Sequence, residues 1–240
     1  MSEHAPVAGL TAVIVASRGG PALQQSLDSV AFAARRCVID PAGALGATAV
    51  LRGVEPWTDA AAAGWVLLLL EGEFLAEGSA AVLADAVRGP GAAFRVPVVC
   101  EAFGSRLRLA GSGLRLAHGA RGGVQARLGG DVVLAAASDG RPLAGASIVR
   151  RLPPLPREAV DELNADATAL AALAAASGVR PRAMRLPLGG LIGGGRVLFG
   201  RGSAPLGWGR WIAAGLAGYR ALLAEAKLWE REQLGTPASS

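Results

Sequence analysis

Leu10 to Ala16 is an apolar run rich in β-branched residues, without the polar alternation of a half-exposed strand. A continuous run of this kind, closed by turn residues, predicts a strand buried on both faces. Ser17-Arg18-Gly19-Gly20-Pro21 supplies the turn, and a helical pattern then runs from Ala22 to Ala34. Cys37-Val38-Ile39-Asp40 predicts a second strand, stopped by Pro41, and Ala47 to Leu51 a third. A helix over Thr58 to Gly64 leads into Trp65-Val66-Leu67-Leu68-Leu69-Leu70, the strongest strand signal in the chain. Another helix covers Ser79 to Val87. Strands alternating with helices argue for βαβ units, an α/β fold and a mostly parallel sheet with flanking helices.

The pattern then changes. Phe94 to Val99, Arg106 to Leu109, Gly113 to Leu116 and Val132 to Ala136 predict short strands between Gly-rich turns, as at the mixed or antiparallel edge of a larger sheet. Pro153-Pro154-Leu155-Pro156 breaks the chain, and a helix from Arg157 to Ala176 follows, closed by Ser177-Gly178. Leu186 to Gly207 is apolar and Gly-rich with poor periodicity; a last helix runs from Trp208 to Gln233. Residues 1–152 therefore form the expected α/β domain, and 153–240 a helical C-terminal extension.

At 52% hydrophobic and 18% charged residues, the composition supports a sizeable core and excludes general disorder. The net charge of +5 favours anionic partners. No dense Lys/Arg block or base-stacking aromatic array accompanies it, so nucleic acid is not an expected partner. Cys37 and Cys100 lie in apolar contexts without metal or redox spacing and read as reduced core residues. The first apolar segment reads as a core strand rather than a secretory signal, and no stretch suits a spanning helix. The expected location is cytoplasmic.

The candidate chemistry lies where the Trp65–Leu70 strand meets Glu71-Gly72-Glu73. In open α/β sheets ligands bind outside the carboxyl ends of the strands. Residues i and i+2 of an extended segment point the same way, so both carboxylates would reach one divalent cation. The alternative is a solvated turn after a buried strand. Along the last helix, Trp208, Trp211, Ile212, Gly215, Leu216, Tyr219, Leu222, Leu223 and Ala226 recur on one face, with Arg210, Arg220 and Lys227 elsewhere around it. That pattern suits either an anionic membrane surface or packing on the chain's own domain.

The order of motifs resembles family 2 glycosyltransferases of the lipopolysaccharide-core type, related to the core β-1,4-glucosyltransferase, over nearly the whole chain. Thr11 to Val15 through Leu27-Asp28-Ser29-Val30 match the family's opening strand and helix. Val38-Ile39-Asp40 sits at its V-V-D, and Trp65 to Glu73 at its W-[VI]-L-x-L-D-A-D. Phe94-Arg95-Val96-Pro97 with Gly104 matches Y-R-V-P…G, and Leu114-Arg115-Leu116 matches L-R-L-F. Leu163-Asn164 with Ala167-Thr168 is similar to L-N-x-x-A-T, and Ala226-Lys227-Leu228-Trp229-Glu230 to A-K-L-W-E; these last two are the more specific.

The resemblance implies a GT-A-like nucleotide-binding sheet. It also implies sugar transfer from a nucleotide-sugar donor, a UDP-sugar, to a lipid-linked or cell-envelope glycan acceptor. The setting would be peripheral, at the inner face of the inner membrane, and the anionic membrane surface becomes an expected partner. Asp40 matches the aspartate that binds the base or ribose, although its other reading is a turn aspartate before Pro41. Glu71 and Glu73 replace the two aspartates of D-x-D, which hold Mg²⁺ or Mn²⁺ on the diphosphate. Arg18 and Arg115 are the remaining donor-site candidates. The family's V-H-E has Val124-Gln125-Ala126 in its place, so the base is missing, and Asp131 and Glu101 are the nearby acids for that role. His118 reads as a solvated turn residue. The second acid after Asp40 is also absent, since Pro41-Ala42-Gly43-Ala44 stands at the family's S-G-S-T-D. A catalytically inactive homologue, acting as a binding or scaffold partner in envelope polysaccharide assembly, is therefore the competing expectation.

Overall fold

The computed structural model describes residues 6–43, 45, 55–56, 64–103, 105–108, 113–119, 124–127, 131–134, 140–181, 184–199 and 208–234. The expected strand at Ala47–Leu51 and all of the expected helix at Thr58–Gly64 but Gly64 lie outside these residues.

The chain divides into two compact units. The first comprises Met1–Val98, Ser112–Val124 and Val133–Arg150, and the second Val99–Gly111, Gln125–Val132 and Arg151–Ser240. Two stretches of the chain's middle thus group with the C-terminal helices.

The first unit is α/β. Its strands are β1 (Val7–Val15), β2 (Ala33–Ile39), β3 (Glu55–Pro56), β4 (Trp65–Leu70), β5 (Glu73–Leu75) and β6 (Ala93–Arg95). Further along come β9 (Leu114–His118), β12 (Arg141–Pro142) and most of β13 (Ile148–Arg151), while β7 (Val98–Ala102) and β8 (Ser105–Arg108) intervene as a hairpin. Seven strands form one sheet in the order β12-β6-β9-β4-β1-β2-β3. β1 lies parallel to both β2 and β4, and all six residues of β4 are buried. Apolar side chains on both faces explain why this centre was legible as unbroken hydrophobic runs.

The sheet is mixed rather than mostly parallel, because β9 runs antiparallel to both of its neighbours, β4 and β6. The cause is connectivity. The chain reaches β9 through the β7–β8 hairpin rather than a helical crossover, and a hairpin return reverses direction. Helix α1 (Pro21–Ser29) stops at Val30, short of the expected Ala34, because Ala33 already begins β2 beside β1. Pro97 divides the expected Phe94–Val99 strand into β6 and β7. Helix α2 (Ser79–Arg88) is pinned at its start by Ser79, whose Oγ donates to the carbonyl of Ser147 and accepts its N–H. A separate two-stranded ribbon joins β10 (Val124–Arg127) and β11 (Asp131–Leu134).

The second unit is built on α3 (Pro156–Ala176), α4 (Arg185–Leu198) and α5 (Trp208–Gln233), with the β7–β8 hairpin. Its core gathers Cys100, Ala102, Leu152, Leu163, Val197, Ala213 and Ala214, with a smaller cluster of Ala171, Ala174 and Leu228. Helix α4 occupies the first part of the Gly-rich stretch of poor periodicity, starting one residue before it at Arg185. It packs antiparallel on α5 at backbone distance: a methyl on Gly193 would lie 2.9 Å from the Ala217 carbonyl, and one on Gly218 2.8 Å from the Gly190 carbonyl. The glycines that weaken helix propensity are what allow this approach. Cys37 and Cys100 are free and buried, in accord with the reduced-core expectation.

Candidate functional site

At the carboxyl ends of the parallel strands β2, β1 and β4, in the first unit, three short segments converge. Val15 is in register with both Ile39 and Leu70, so the residues that follow each strand emerge at one edge. These are Ser17-Arg18-Gly19 after β1, Asp40 after β2 and Glu71 after β4.

Glu71 closes onto the β1 loop. Its Oε2 accepts the backbone N–H groups of Ser17 at 2.6 Å, Arg18 at 2.9 Å and Gly19 at 3.0 Å. Three successive amides aimed at one oxygen, just ahead of α1, form an anion-binding nest, and the chain fills it with its own carboxylate. Glu71 is 3% exposed, and its Oε1 is buried with no hydrogen-bond partner among the described residues. A buried acceptor of this kind is what a water or a ligand donor satisfies.

Glu73 has a different set of partners. Arg115 of β9 donates to it bidentately, Nη1 to Oε2 at 3.0 Å and Nη2 to Oε1 at 3.2 Å, and Leu70 N–H donates to Oε2 at 2.8 Å. Both side chains of this ion pair are 3% exposed. Arg150, also buried, is the cross-strand neighbour of Glu73 in the β13–β5 ladder.

The residue between the two acids explains their divergence. Gly72 has φ +78°, so the segment is not extended and the i, i+2 rule does not apply. Its N–H donates to Ser26 Oγ of α1, which holds the turn. Glu71 follows β4, whereas Glu73 begins β5 in another ladder. The expected shared cation therefore does not fit this donor set. One acid gives both oxygens to a guanidinium, and the other lies under three amides. No group of three or more His, Cys, Asp or Glu is placed to hold a metal among the described residues.

The remaining candidates are placed as follows. Asp40 is half-buried and accepts the Leu45 N–H on Oδ2 at 2.9 Å, the side chain-to-backbone bond of a turn aspartate. It nonetheless stands at the same strand edge as the nest. Arg18 gives its backbone N–H to Glu71 and carries an exposed side chain. Arg115 is enclosed with Glu73 rather than presented to a phosphate or acceptor. His118 is exposed and edge-on to Trp65, with centroids 5.5 Å apart.

In the second unit, Glu101 is held by two arginines. Arg151 donates to its Oε2 from Nε at 3.2 Å and Nη2 at 3.0 Å, and Arg106 lies 3.8 Å from Oε1. The Glu101 side chain is 32% exposed within these ion pairs. Asp131 opens β11.

The two most specific sequence segments meet inside this unit. Lys227 of α5 donates to the carbonyl of Asn164, at 3.1 Å, and to Thr168 Oγ1, both on α3. Two turns earlier on α5, Arg220 lies 3.6 Å from the buried Asp166, which sits between Asn164 and Thr168 on α3. Arg210, also buried, donates to the carbonyls of Val197 and Leu198 and so caps the C-terminus of α4. All three basic residues of α5 first read as suited to a membrane thus serve contacts within the unit. Burial lowers the pKa of Lys227, Glu230 opposes that shift and Arg231 adds to it.

Compared with known proteins, the chain matches no family model and no curated protein sequence. No described helix is long and apolar enough to cross a membrane.

Proposed function

We propose that this chain is a catalytically silent relative of the family 2 glycosyltransferases, acting as a binding or scaffold partner in cell-envelope polysaccharide assembly. The Glu73–Arg115 pair carries this reading. Where the resemblance assigns an acid to a divalent cation, this chain pairs the acid with its own guanidinium, out of solvent. With Glu71 under the β1 amides, neither acid is free to hold the cation that would neutralise a diphosphate leaving group.

What supports a retained nucleotide edge is the convergence of Asp40, the Ser17–Gly19 amides and Glu71 beyond the parallel strands, the usual ligand position in α/β sheets. Fold-level likeness alone would not carry a function. A GT-A-like ancestry accounts for the parallel centre of the sheet, with β9 as its antiparallel addition.

The second reading is active transfer from a UDP-sugar to a lipid-linked or envelope glycan, and the same strand edge favours it. Turnover separates the two. UDP release from UDP-sugars is followed with bacterial envelope glycolipid as acceptor, in Mn²⁺ and in chelator. The silent reading expects none above the no-protein rate in either. Release that rises with Mn²⁺ and disappears in Glu73→Gln overturns it.

A further inference from the structure

We infer that the exposed face of the α4–α5 hairpin is an interface between two copies of this chain. The copies pair antiparallel along α5, and Tyr219 of each fills a notch over Gly215 of the other. Every large hydrophobic side chain exposed among the described residues lies in the second unit. Five of them, Trp208, Trp211, Ile212, Tyr219 and Leu222, share one stripe of α5 at helical spacing. That stripe is about a third of a turn round from Ala214, Ala217 and Gly218, which meet α4. Met184 and Leu191, also exposed, are turned about as far from the α4 glycines Gly190, Gly193 and Gly194, which meet α5. Equal rotation on antiparallel neighbours brings both stripes to one side of the hairpin.

Gly215 stands in the middle of the α5 stripe. It is exposed, and nothing among the described residues lies within 4 Å of its Cβ position. Glycine weakens a helix, and this one, unlike Gly193 and Gly218, permits no close approach inside the unit. Trp211 and Tyr219, one turn to either side, make it a notch. With Tyr219 set against Gly215 of a second copy, the antiparallel register puts Leu222 against Ile212 and Trp208 against Ala226. Each contact then occurs twice, as a two-fold axis requires.

Area and charge select the occupant. A specific interface buries about 1,200–2,000 Å² in total, or about 600 Å² and upward from each side. Aromatic side chains bury roughly 150–250 Å² each and aliphatic ones about 100 Å². Trp208, Trp211 and Tyr219 are 85, 55 and 40% exposed, and Met184 and Leu191 75 and 71%. With Ile212 and Leu222, each copy offers roughly 600 Å², enough for a dimer. None of the stripe positions between Trp208 and Ala226 is charged. The acids of α5, Glu225, Glu230 and Glu232, all lie toward its C-terminal end. Parallel pairing would set them side by side, whereas the antiparallel register holds the two sets roughly 25–45 Å apart, beyond the Debye length of about 8–10 Å. Exposed Glu230 lies five turns on from Ile212 on the same side of the helix, so an anionic bilayer along α5 would meet an acid. This inference stands apart from the nucleotide reading, which concerns the first unit.

Sedimentation velocity of the full chain across a concentration series tests it. The sedimenting mass should approach twice the 24.1 kDa of one chain as concentration rises. Gly215→Leu fills the notch and should weaken the dimer at least tenfold. At concentrations where both proteins are monomeric it should melt no lower than wild type, because leucine suits an exposed helix position better than glycine. The same variant adds apolar surface, so a face made for lipid would instead partition more strongly into vesicles of phosphatidylcholine and phosphatidylglycerol. Trp211→Ser with Tyr219→Ser should also weaken the dimer at least tenfold, with unchanged far-UV circular dichroism showing that the fold is kept. The inference fails if the wild-type chain stays monomeric up to roughly 0.1 mM. It fails also if either folded variant dimerises as tightly as wild type, or if a monomeric wild-type chain floats with the vesicles and Gly215→Leu floats more.

Discussion

Removing the negative charge of Glu73 should destabilise the first unit more than almost any other single polar change. In Glu73→Gln the Arg115 guanidinium stays buried, at 3% side-chain exposure, and loses the Glu73 carboxylate it pairs with. Breaking one partner of a buried pair costs about 3–5 kcal/mol, against about 0–1 for an exposed pair. Gln keeps a carbonyl oxygen for the Leu70 N–H, now 2.8 Å from Oε2, so the lower end, about 3 kcal/mol, is the expectation. With a urea m-value of roughly 2–3 kcal/mol/M, the unfolding midpoint of this unit should fall by about 1–1.5 M. Arg115→Met strands the carboxylate instead and should cost at least as much. The double variant Glu73→Gln/Arg115→Met removes both charges, keeps the Leu70 acceptor, and should recover to within about 1 kcal/mol of wild type. Urea unfolding of all four proteins, followed through the emission of Trp65 in variants lacking the other tryptophans, completes the cycle. Strictly additive single effects, or a Glu73→Gln cost under about 0.5 kcal/mol, would refute the closed pair.

Other outcomes follow from the same geometry. Glu71→Gln weakens three charge-assisted hydrogen bonds at once and should cost about 2–3 kcal/mol, with faster amide exchange confined to Ser17, Arg18 and Gly19; unchanged exchange there would contradict the nest. Gly193→Val should lose about 1–3 kcal/mol by forcing α4 off α5, whereas Gly215→Ala, with open space around its Cβ position, should gain a few tenths up to about 1 kcal/mol from helix propensity. Thermal melts of the two variants give the signs directly. Lys227 should titrate below 10.5 by ¹⁵N NMR, because burial disfavours its charged form. In the window between that folded value and 10.5 the unfolded chain binds more protons, so this lysine's contribution to stability rises with pH there. A folded midpoint at or above 10.5 would contradict its desolvation.

The parallel centre of the sheet was legible because nothing competes with burial in β1 and β4: every β4 side chain is apolar and enclosed. The site was harder to read. The rule that puts i and i+2 on one side holds only for extended backbone, and Gly72 sits at φ +78° between the two acids. A signal for the true arrangement was present in Leu114-Arg115-Leu116. An arginine inside a short apolar strand has to find a buried partner, and here that partner is Glu73, one of the two acids assigned to a metal. Helix α4 was hidden for the opposite reason. Its glycines removed the apolar periodicity that marks a helix, while the contact they permit exists only once α5 is beside them. The Lys227 contacts with Asn164 and Thr168 form one joint between α3 and α5 that neither segment announces by itself.

Calorimetric titration of UDP into the full chain, in Mn²⁺ and again in chelator, tests most directly whether the paired glutamates serve structure rather than a cation. Affinity should be the same in both buffers and in Glu73→Gln/Arg115→Met. Binding that requires Mn²⁺ and is lost in that double variant would contradict the account.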